Sequence, residues 1–201
     1  MTRSVLALLL VCCGCCCLAV AQDEKPSKGP KVPEVLLSDQ HQKMVKVGVG
    51  QEFPQLTLPQ ADQEGGQPKP LSDQFGTAAT VVAVWHSDGA MAKSMLRDLS
   101  YDIAKRYQAK PGEKPQVATL AIATGTPAAE AIAESTGAKY TGPVLIDESG
   151  EAFDKLGTDR LPRIYVLNSK GQVVWLDIEY SLSTRREMKQ AVAALVKKAA
   201  E

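Results

Sequence analysis

The sequence predicts an α/β fold in which helices flank a mixed central β-sheet that is preceded by a β lead-in. Two short, mostly apolar runs, Thr80–Trp85 and Gln116–Ala123, have the composition of strands buried on both faces. A helical pattern follows each run, and the chain closes with two further strands and a helix. Strands that alternate with helices and end in an antiparallel hairpin form a three-layer sandwich around one sheet.

The helix after the first strand is predicted from Asp88, its expected N-cap, to just before Pro111, because apolar residues recur at spacings of three and four. After the second strand, Thr126 is expected to cap a helix that has Pro127 at its first position and ends at Gly137. A short strand at 144–146 and a short helix near 151–156 follow.

The C-terminal part is predicted to be a hairpin and a long helix. The hairpin covers residues 163–179 and turns at 169–171, where a glycine closes a short polar segment. The last helix is expected over residues 184–199 and opens with a capping box between Thr184 and Glu187. The lead-in before the first buried strand has short apolar pieces separated by glycine and proline, which indicates a small hairpin.

The first 21 residues have the pattern of a secretory signal peptide. Arg3 precedes an apolar run that ends in Ala19-Val20-Ala21, a small-x-small cleavage site. Cleavage would leave a chain that begins at Gln22, has a formal charge of −1, and is periplasmic or secreted. An uncleaved membrane anchor and a lipoprotein anchored through Cys15 are the alternatives. The apolar run holds all five cysteines of the sequence: Cys12, Cys13, Cys15, Cys16 and Cys17.

Residues 22–44 are predicted to be a flexible linker, because they combine three prolines with mixed charge and little apolar content. Residues 45–201 then form one domain, which is large enough to fold without disulfides. Lys plus Arg equals Asp plus Glu at 23 each, so the charge balance does not favour nucleic acid or an anionic membrane as a partner. No stable membrane insertion is expected after cleavage.

Three stretches together carry a family resemblance: 49–58 with 71–73, the strand and helix of 81–99, and 157–174. The third combines a proline, an apolar strand and a polar turn with glycine. Over residues 46–200 the chain resembles the thioredoxin-like fold. Within that fold it is similar to the redoxin family of alkyl hydroperoxide reductases, thiol-specific antioxidants (AhpC/TSA) and exported thiol-disulfide reductases. The resemblance implies a cis-proline at Pro162.

The chain departs from this family at the redox site. The positions that match the family's Cys-x-x-Cys are Gly89 and Ala92. A neighbouring hydroxyl, Ser87, cannot replace a thiolate because it does not cycle through a sulfenic acid or a disulfide. We therefore expect no catalytic residue, no cofactor and no redox activity. The alternative is that the chain keeps the family's thiol-disulfide oxidoreductase or peroxiredoxin-type antioxidant role in cell redox homeostasis.

The resemblance also implies a groove in which a substrate peptide lies beside the cis-proline. An extended segment of an unknown protein or peptide partner would add there by strand pairing. A structural module of an envelope assembly, tethered by the linker, is a further possibility. The matching groove residues are Trp85, His86, Gly89, Met91, Leu161 and Pro162.

Other candidate sites have weaker signals. His86 could be a general base or a metal ligand, but His41 in the linker is the other histidine, so no metal site is expected. Adjacent side chains at 86–88 point apart on a turn, which argues against a hydrolytic triad.

Asp177 and Glu179 alternate on a strand and are predicted to be a solvated face that pairs with Arg185 or Arg186. The turn around Gly125 is expected to be an ordinary helix cap rather than an anion site, because no phosphate-loop lysine follows. The two tryptophans, Trp85 and Trp175, are expected in the core or on a sheet face.

Overall fold

A computed structural model describes residues 29–61 and 67–201. The predicted signal peptide, its cysteines and residues 22–28 of the predicted linker lie outside the described residues. Within them, the helices are α1 (Asp39–Met44), α2 (Ala92–Leu99), α3 (Ala128–Gly137), α4 (Glu151–Leu156) and α5 (Leu182–Lys198). The strands are β1 (Thr57–Pro59), β2 (Pro68–Pro70), β3 (Ala79–Trp85), β4 (Val117–Thr124), β5 (Val144–Asp147), β6 (Arg163–Asn168) and β7 (Val173–Ile178).

The predicted mixed sheet is confirmed, with strand order β5-β4-β3-β6-β7. β3 pairs in parallel with β4 and antiparallel with β6, and β6 and β7 form the predicted hairpin. β1 and β2 form a separate antiparallel pair. At the carboxyl end of β3, Trp85 lies opposite Ala123 of β4 and Val84 lies opposite Arg163 of β6.

The sheet is covered on both faces, which explains why every residue of β3 and β4 is buried. One face packs against α2, α3 and α5, and the other packs against α4 and the lead-in. Trp85 and Trp175 both belong to the first cluster and are 0% and 1% exposed. This arrangement is the three-layer sandwich of the thioredoxin-like fold.

Helix α2 begins later than predicted. Asp88 does not cap it, because residues 89–91 form a turn in which the Ala92 N–H donates to the Gly89 carbonyl at 2.9 Å. Met91 occupies the N-cap position and its side chain accepts no capping hydrogen bond. At the other end, a π-helical turn over Ser100–Ala104 continues the helix. The apolar spacing predicted the buried face correctly but not the turn that precedes it.

The caps of α3 and α5 also differ from the prediction. The Thr126 hydroxyl donates to the Thr124 carbonyl at 3.1 Å instead of capping, and α3 begins after Pro127. In α5 the capping box lies three residues earlier than expected. The Ser181 hydroxyl accepts from the Thr184 N–H at 3.2 Å, and the Thr184 hydroxyl accepts from the Ser181 N–H at 3.1 Å. In α3 the Thr126 hydroxyl has a competing acceptor in its own loop, and in α5 several neighbouring hydroxyl residues could serve as the cap.

The second half of the predicted linker is ordered and packed. It contains α1, whose last residue, Met44, is 9% exposed. Val35 packs against both core clusters, and the Gln190 amide donates to the Lys31 carbonyl at 3.0 Å. The domain therefore begins before residue 45. A few apolar side chains and backbone contacts suffice to hold this segment on the domain. Its polar composition led to the linker prediction because composition does not reveal such contacts.

A polar cluster joins the end of α2 and its π-helical turn to α5. Arg185 donates to both carboxylate oxygens of Asp102, at 2.6 and 3.1 Å, and its third nitrogen lies 3.4 Å from Asp98. The Tyr180 hydroxyl donates to Asp98 at 2.9 Å. The hydrogen bonds from Arg185 hold the pKa of Asp102 below its ordinary value of 3.8. The expected pairing of Arg185 with Asp177 or Glu179 is therefore wrong.

Asp102→Asn is expected to lower the free energy of unfolding by about 1 kcal/mol at pH 7. Because the carboxyl has a lower pKa in the folded chain than in the unfolded one, its ion pair stabilises the fold above about pH 4. That contribution is lost as the pH falls through the folded pKa. Urea denaturation at pH 7 and pH 3 measures the difference.

The matched control is Glu148→Gln, at an exposed position that has no ion pair with any residue the structure describes. It should change the stability little at either pH. An Asp102→Asn effect of equal size at pH 7 and pH 3 would contradict the ion-pair explanation.

Candidate functional site

Three loops meet at the carboxyl end of β3. The turn 86–91 follows β3, residues 125–126 follow β4, and residues 161–162 precede β6. The parallel register of β3 with β4 and its antiparallel register with β6 bring these three loops to one end of the sheet. This is the place where loops on a rigid scaffold are available for binding or catalysis.

The turn after β3 is fixed by hydrogen bonds to its own backbone and to the next loop. The Asp88 N–H donates to His86 Nδ1 at 3.2 Å, and the Gly89 N–H donates to the His86 carbonyl at 3.0 Å. The Ser87 N–H donates to the Thr126 hydroxyl at 3.2 Å. Gly125, at φ +57°, leaves room for the imidazole, because a Cβ there would lie 3.4 Å from His86 Cδ2. When the imidazole is neutral, this arrangement places its proton on Nε2.

The geometry does not favour hydrolysis or metal binding at His86. Asp88 contacts the imidazole through its backbone N–H rather than its carboxylate, so the orienting carboxylate of a triad is missing. His41 lies in α1, where its Nε2 is 3.9 Å from Glu179. Among residues 29–61 and 67–201, no group of three His, Cys, Asp or Glu side chains is placed to hold a metal ion.

Gly89 lies in the turn that precedes α2, and Ala92, three residues later, is the first residue of the helix. Gly89 is partly exposed and Ala92 is 3% exposed. No residue that the structure describes accepts a hydrogen bond from the N–H groups of Lys93 and Ser94. These free donors give the helix start a partial positive charge, which would lower the pKa of a thiol placed there.

The exposed part of the predicted groove is smaller than expected. Trp85 is fully buried in the core, so it does not line the surface, and Pro162 is buried as well. Met91 is 40% exposed, and His86 and Leu161 are partly exposed. The resemblance to the redoxin family implied a place in the groove for Trp85. As the last residue of a strand between two layers, it points into the core instead.

The loop before β6 presents a free backbone. The Leu161–Pro162 peptide bond is cis, and the Pro162 carbonyl accepts from the Glu179 N–H at 2.9 Å. By contrast, no residue in the described ranges makes a hydrogen bond to the Leu161 N–H or carbonyl. A donor and an acceptor are therefore available beside the start of α2.

Arg163 holds this loop in place, and sequence reasoning missed it. Its guanidinium is 1% exposed and donates to the carbonyls of Met44 and Arg160, at 3.0 Å each, and of Thr158. It also lies over the Phe153 ring, 5.1 Å from the centroid. No carboxylate of the described residues pairs with it. An arginine that opens an apolar strand was the available signal, because a charge there must be buried or paired.

Asp177 and Glu179 do not form a catalytic pair or a shared solvated face. The Asp177 carboxylate accepts from the Thr184 hydroxyl at 2.7 Å and from the Ile178 N–H at 2.8 Å, and burial raises its pKa. Glu179 pairs with Arg160 and approaches His41, and it has a positive φ of 68°. Asp177 therefore has a structural role at the start of α5.

Comparisons with known proteins agree with this architecture. A putative protein disulfide isomerase from Bacteroides thetaiotaomicron superposes with a TM-score of 0.67 at 18% identity, over 77% of this chain and 93% of that one. A putative thiol:disulfide interchange protein DsbE from Chlorobium tepidum gives 0.63 at 16% identity, over 75% and 99%. A secreted thiol-disulfide isomerase from Corynebacterium glutamicum gives 0.63 at 18% identity, over 82% and 98%. At these identities the likeness establishes the fold.

Within the part that the structure describes, no helix is long and apolar enough to cross a membrane.

Two further comparisons concern the sequence itself. No curated protein matches the chain. The family model described as Redoxin matches residues 48–195, which is well over half of the sequence. The chain therefore belongs to the redoxin family.

Proposed function

We propose that this redoxin-family chain is an exported protein without thiol catalysis that binds an extended peptide segment at the carboxyl end of β3. The observation that carries the proposal is that this end of the sheet combines positions without thiols and backbone groups without hydrogen-bond partners among the described residues. Gly89 and Ala92 occupy the positions of the redox cysteines, yet the helix start and the Leu161–Pro162 loop beside them keep free binding groups. We call the exposed surface of His86, Gly89, Met91 and Leu161 the docking face.

The absence of a cysteine after residue 17 argues against the family's own chemistry. Thiol-disulfide exchange requires a thiolate that attacks a disulfide sulfur, and no cysteine follows residue 17. The family membership and the named structural neighbours favour the rival function, a thiol-disulfide oxidoreductase. An insulin-reduction and peroxide-reduction assay on a chain that begins at Gln22 separates the two. Measurable turnover there would overturn the proposal.

The docking face has the chemistry to hold an extended chain. The Leu161 N–H and carbonyl would pair with the backbone of the incoming segment, which gives affinity with little dependence on sequence. Met91 supplies a flexible and polarizable apolar contact, which suits partners of varied shape. Leu161, which is partly exposed and also packs against one of the buried clusters, adds a second apolar contact. We therefore expect peptides with apolar side chains at alternate positions to bind best.

Met91→Lys and Leu161→Lys are each expected to weaken peptide binding about tenfold, because each removes one central apolar contact. A peptide array identifies binding sequences, and titration of a selected peptide measures the change. The matched control is Leu182→Lys at the start of α5, where the side chain is 82% exposed and distant in sequence from all three loops. Binding that survives both docking-face substitutions unchanged would disprove this assignment.

Export is the remaining part of the proposal, and its support comes from the sequence. The apolar run after Arg3 and the Ala19-Val20-Ala21 ending favour cleavage before Gln22. The intact mass of the exported protein distinguishes ordinary cleavage from lipid attachment at Cys15. A chain that retains its first 21 residues would contradict export by cleavage.

A further inference from the structure

Sulfur is unevenly distributed in the folded domain. The five cysteines all precede residue 18, so methionine supplies the sulfur in residues 29–61 and 67–201. Met44, Met95 and Met188 are 9%, 0% and 0% exposed, whereas Met91 is 40% exposed. Met91 is therefore the exposed sulfur of the described part of the chain. It lies between Gly89 and Ala92, where the redoxin family places its reactive sulfurs.

We propose that Met91 is a reversible oxidation site, and that a peroxide which oxidises it converts the docking face from apolar to polar. In this step the thioether sulfur attacks one oxygen of hydrogen peroxide and an S–O bond forms while the O–O bond breaks. The departing hydroxide takes a proton and leaves as water. Sulfur is oxidised by two electrons and the peroxide is reduced, so no other reactant is needed. A thiol-dependent methionine sulfoxide reductase reverses the reaction.

The surroundings of Met91 favour selective reaction and a tolerated product. Its side chain makes no capping hydrogen bond, and it is outside both buried clusters. A sulfoxide oxygen is a strong acceptor, and the unpartnered N–H groups of Lys93 and Ser94 lie two and three residues further along the helix. These are the donors that a side chain at the N-cap position serves. The oxidised residue would therefore stay at the helix start without unfolding it.

Oxidation of Met91 is expected to affect peptide binding most, and this part of the inference rests on the proposed function. A thioether contributes an apolar contact, whereas a sulfoxide carries a polar oxygen that must be desolvated before a peptide can dock. We expect oxidation to weaken binding of a docking-face peptide about tenfold, the effect of losing one central contact.

The test treats the full chain with hydrogen peroxide and follows each methionine by peptide mass spectrometry. Trypsin cleaves after Lys93, so Met91 and Met95 fall on different peptides. Met91 sulfoxide is expected to form about tenfold faster than sulfoxide at the buried methionines, and a methionine sulfoxide reductase with a thiol reductant should remove it from the folded protein. Equal rates at Met91 and Met95, or a sulfoxide that resists repair, would overturn the assignment of this site.

Two variants connect oxidation to binding. Met91→Leu keeps an apolar contact without sulfur, so its peptide affinity should not respond to peroxide. Met91→Gln places a polar group there and should bind as weakly as the oxidised parent. Unchanged affinity of the oxidised parent for a peptide that the reduced parent binds would overturn the switch. If no peptide binds the reduced parent, the proposed function fails, and the switch that depends on it fails too, whereas the rates measured at Met91 still decide the oxidation site.

Discussion

Gly157→Ala is expected to lower the free energy of unfolding by about 3 kcal/mol or more. A Cβ at residue 157 would lie 2.6 Å from Cζ of Arg163, and closer still to Nη1 and to the Met44 carbonyl oxygen. The extended backbone of Gly157 suits any residue, so the cost comes from this overlap. Displacing the guanidinium would leave a buried charge without its carbonyl partners.

Urea denaturation of the parent and the variant measures this effect. The control is Gly48→Ala, where an added Cβ would meet one atom within 4 Å, Gln51 Oε1 at 3.8 Å. That variant should change the stability by less than about 1 kcal/mol. Near-equal effects at the two glycines would show that Arg163 does not depend on the space at Gly157. Because Arg163 holds residues 158–162, a folded Gly157→Ala protein should also lose peptide affinity at the docking face.

The layers of the fold were predictable from local patterns. β3 and β4 were predictable as buried strands from their continuous apolar runs, which reflect the cover on both faces of the sheet. The hairpin of β6 and β7 was predictable from its polar turn with glycine. Signals of this kind depend on residues that are close in sequence. The order of the strands was not predicted, and the position of Pro162 beside the turn after β3 came from the family resemblance, since spacing alone does not determine which strands pair or which loops meet.

The details that periodicity does not encode were the ones predicted wrongly. The family resemblance implied a place in the groove for Trp85, but its side chain, on a strand between two covered layers, packs into the core. The cap assigned to Thr126 failed because its hydroxyl had a competing acceptor in its own loop. Arg163 was missed because its partners, including Met44, are backbone carbonyls from distant parts of the chain. Because every residue has a backbone carbonyl, the residue types in the sequence do not show which carbonyls accept hydrogen bonds from an arginine.

The double substitution Gly89→Cys with Ala92→Cys is expected to give the chain a thiol-disulfide exchange activity that the parent lacks. Gly89, in the turn before α2, and Ala92, the first residue of the helix, are close enough for one disulfide. Ala92 already has a Cβ, and a Cβ at Gly89 would lie 3.0 Å from the His86 carbonyl oxygen and 3.4 Å from the Ala92 Cβ, a tight but tolerable fit. The free N–H groups at the helix start would lower the pKa of the first thiol and increase its thiolate fraction.

Insulin reduction by the double variant, starting at Gln22, should exceed the parent's background at least about tenfold. Gly89→Cys alone should form mixed disulfides without turnover, since no second thiol resolves them, and Ala92→Cys alone should react little because residue 92 is buried. The matched control places the same pair in the first turns of α3, as Glu130→Cys with Ala133→Cys, where both positions are exposed and α3 begins after a different loop. Little activity there would show that the end of β3, and not a helix start alone, favours exchange.

The result also decides how much of a redoxin site this chain has kept. If the double variant turns over, a pair of thiols is what the site lacks, and the remaining surface is a docking face with its catalytic step removed. If it folds and oxidises to a disulfide but reduces nothing, the loop at Leu161 no longer presents a partner chain to the helix start. That outcome would contradict the peptide-binding proposal as well, because the same loop supplies the backbone groups for strand pairing.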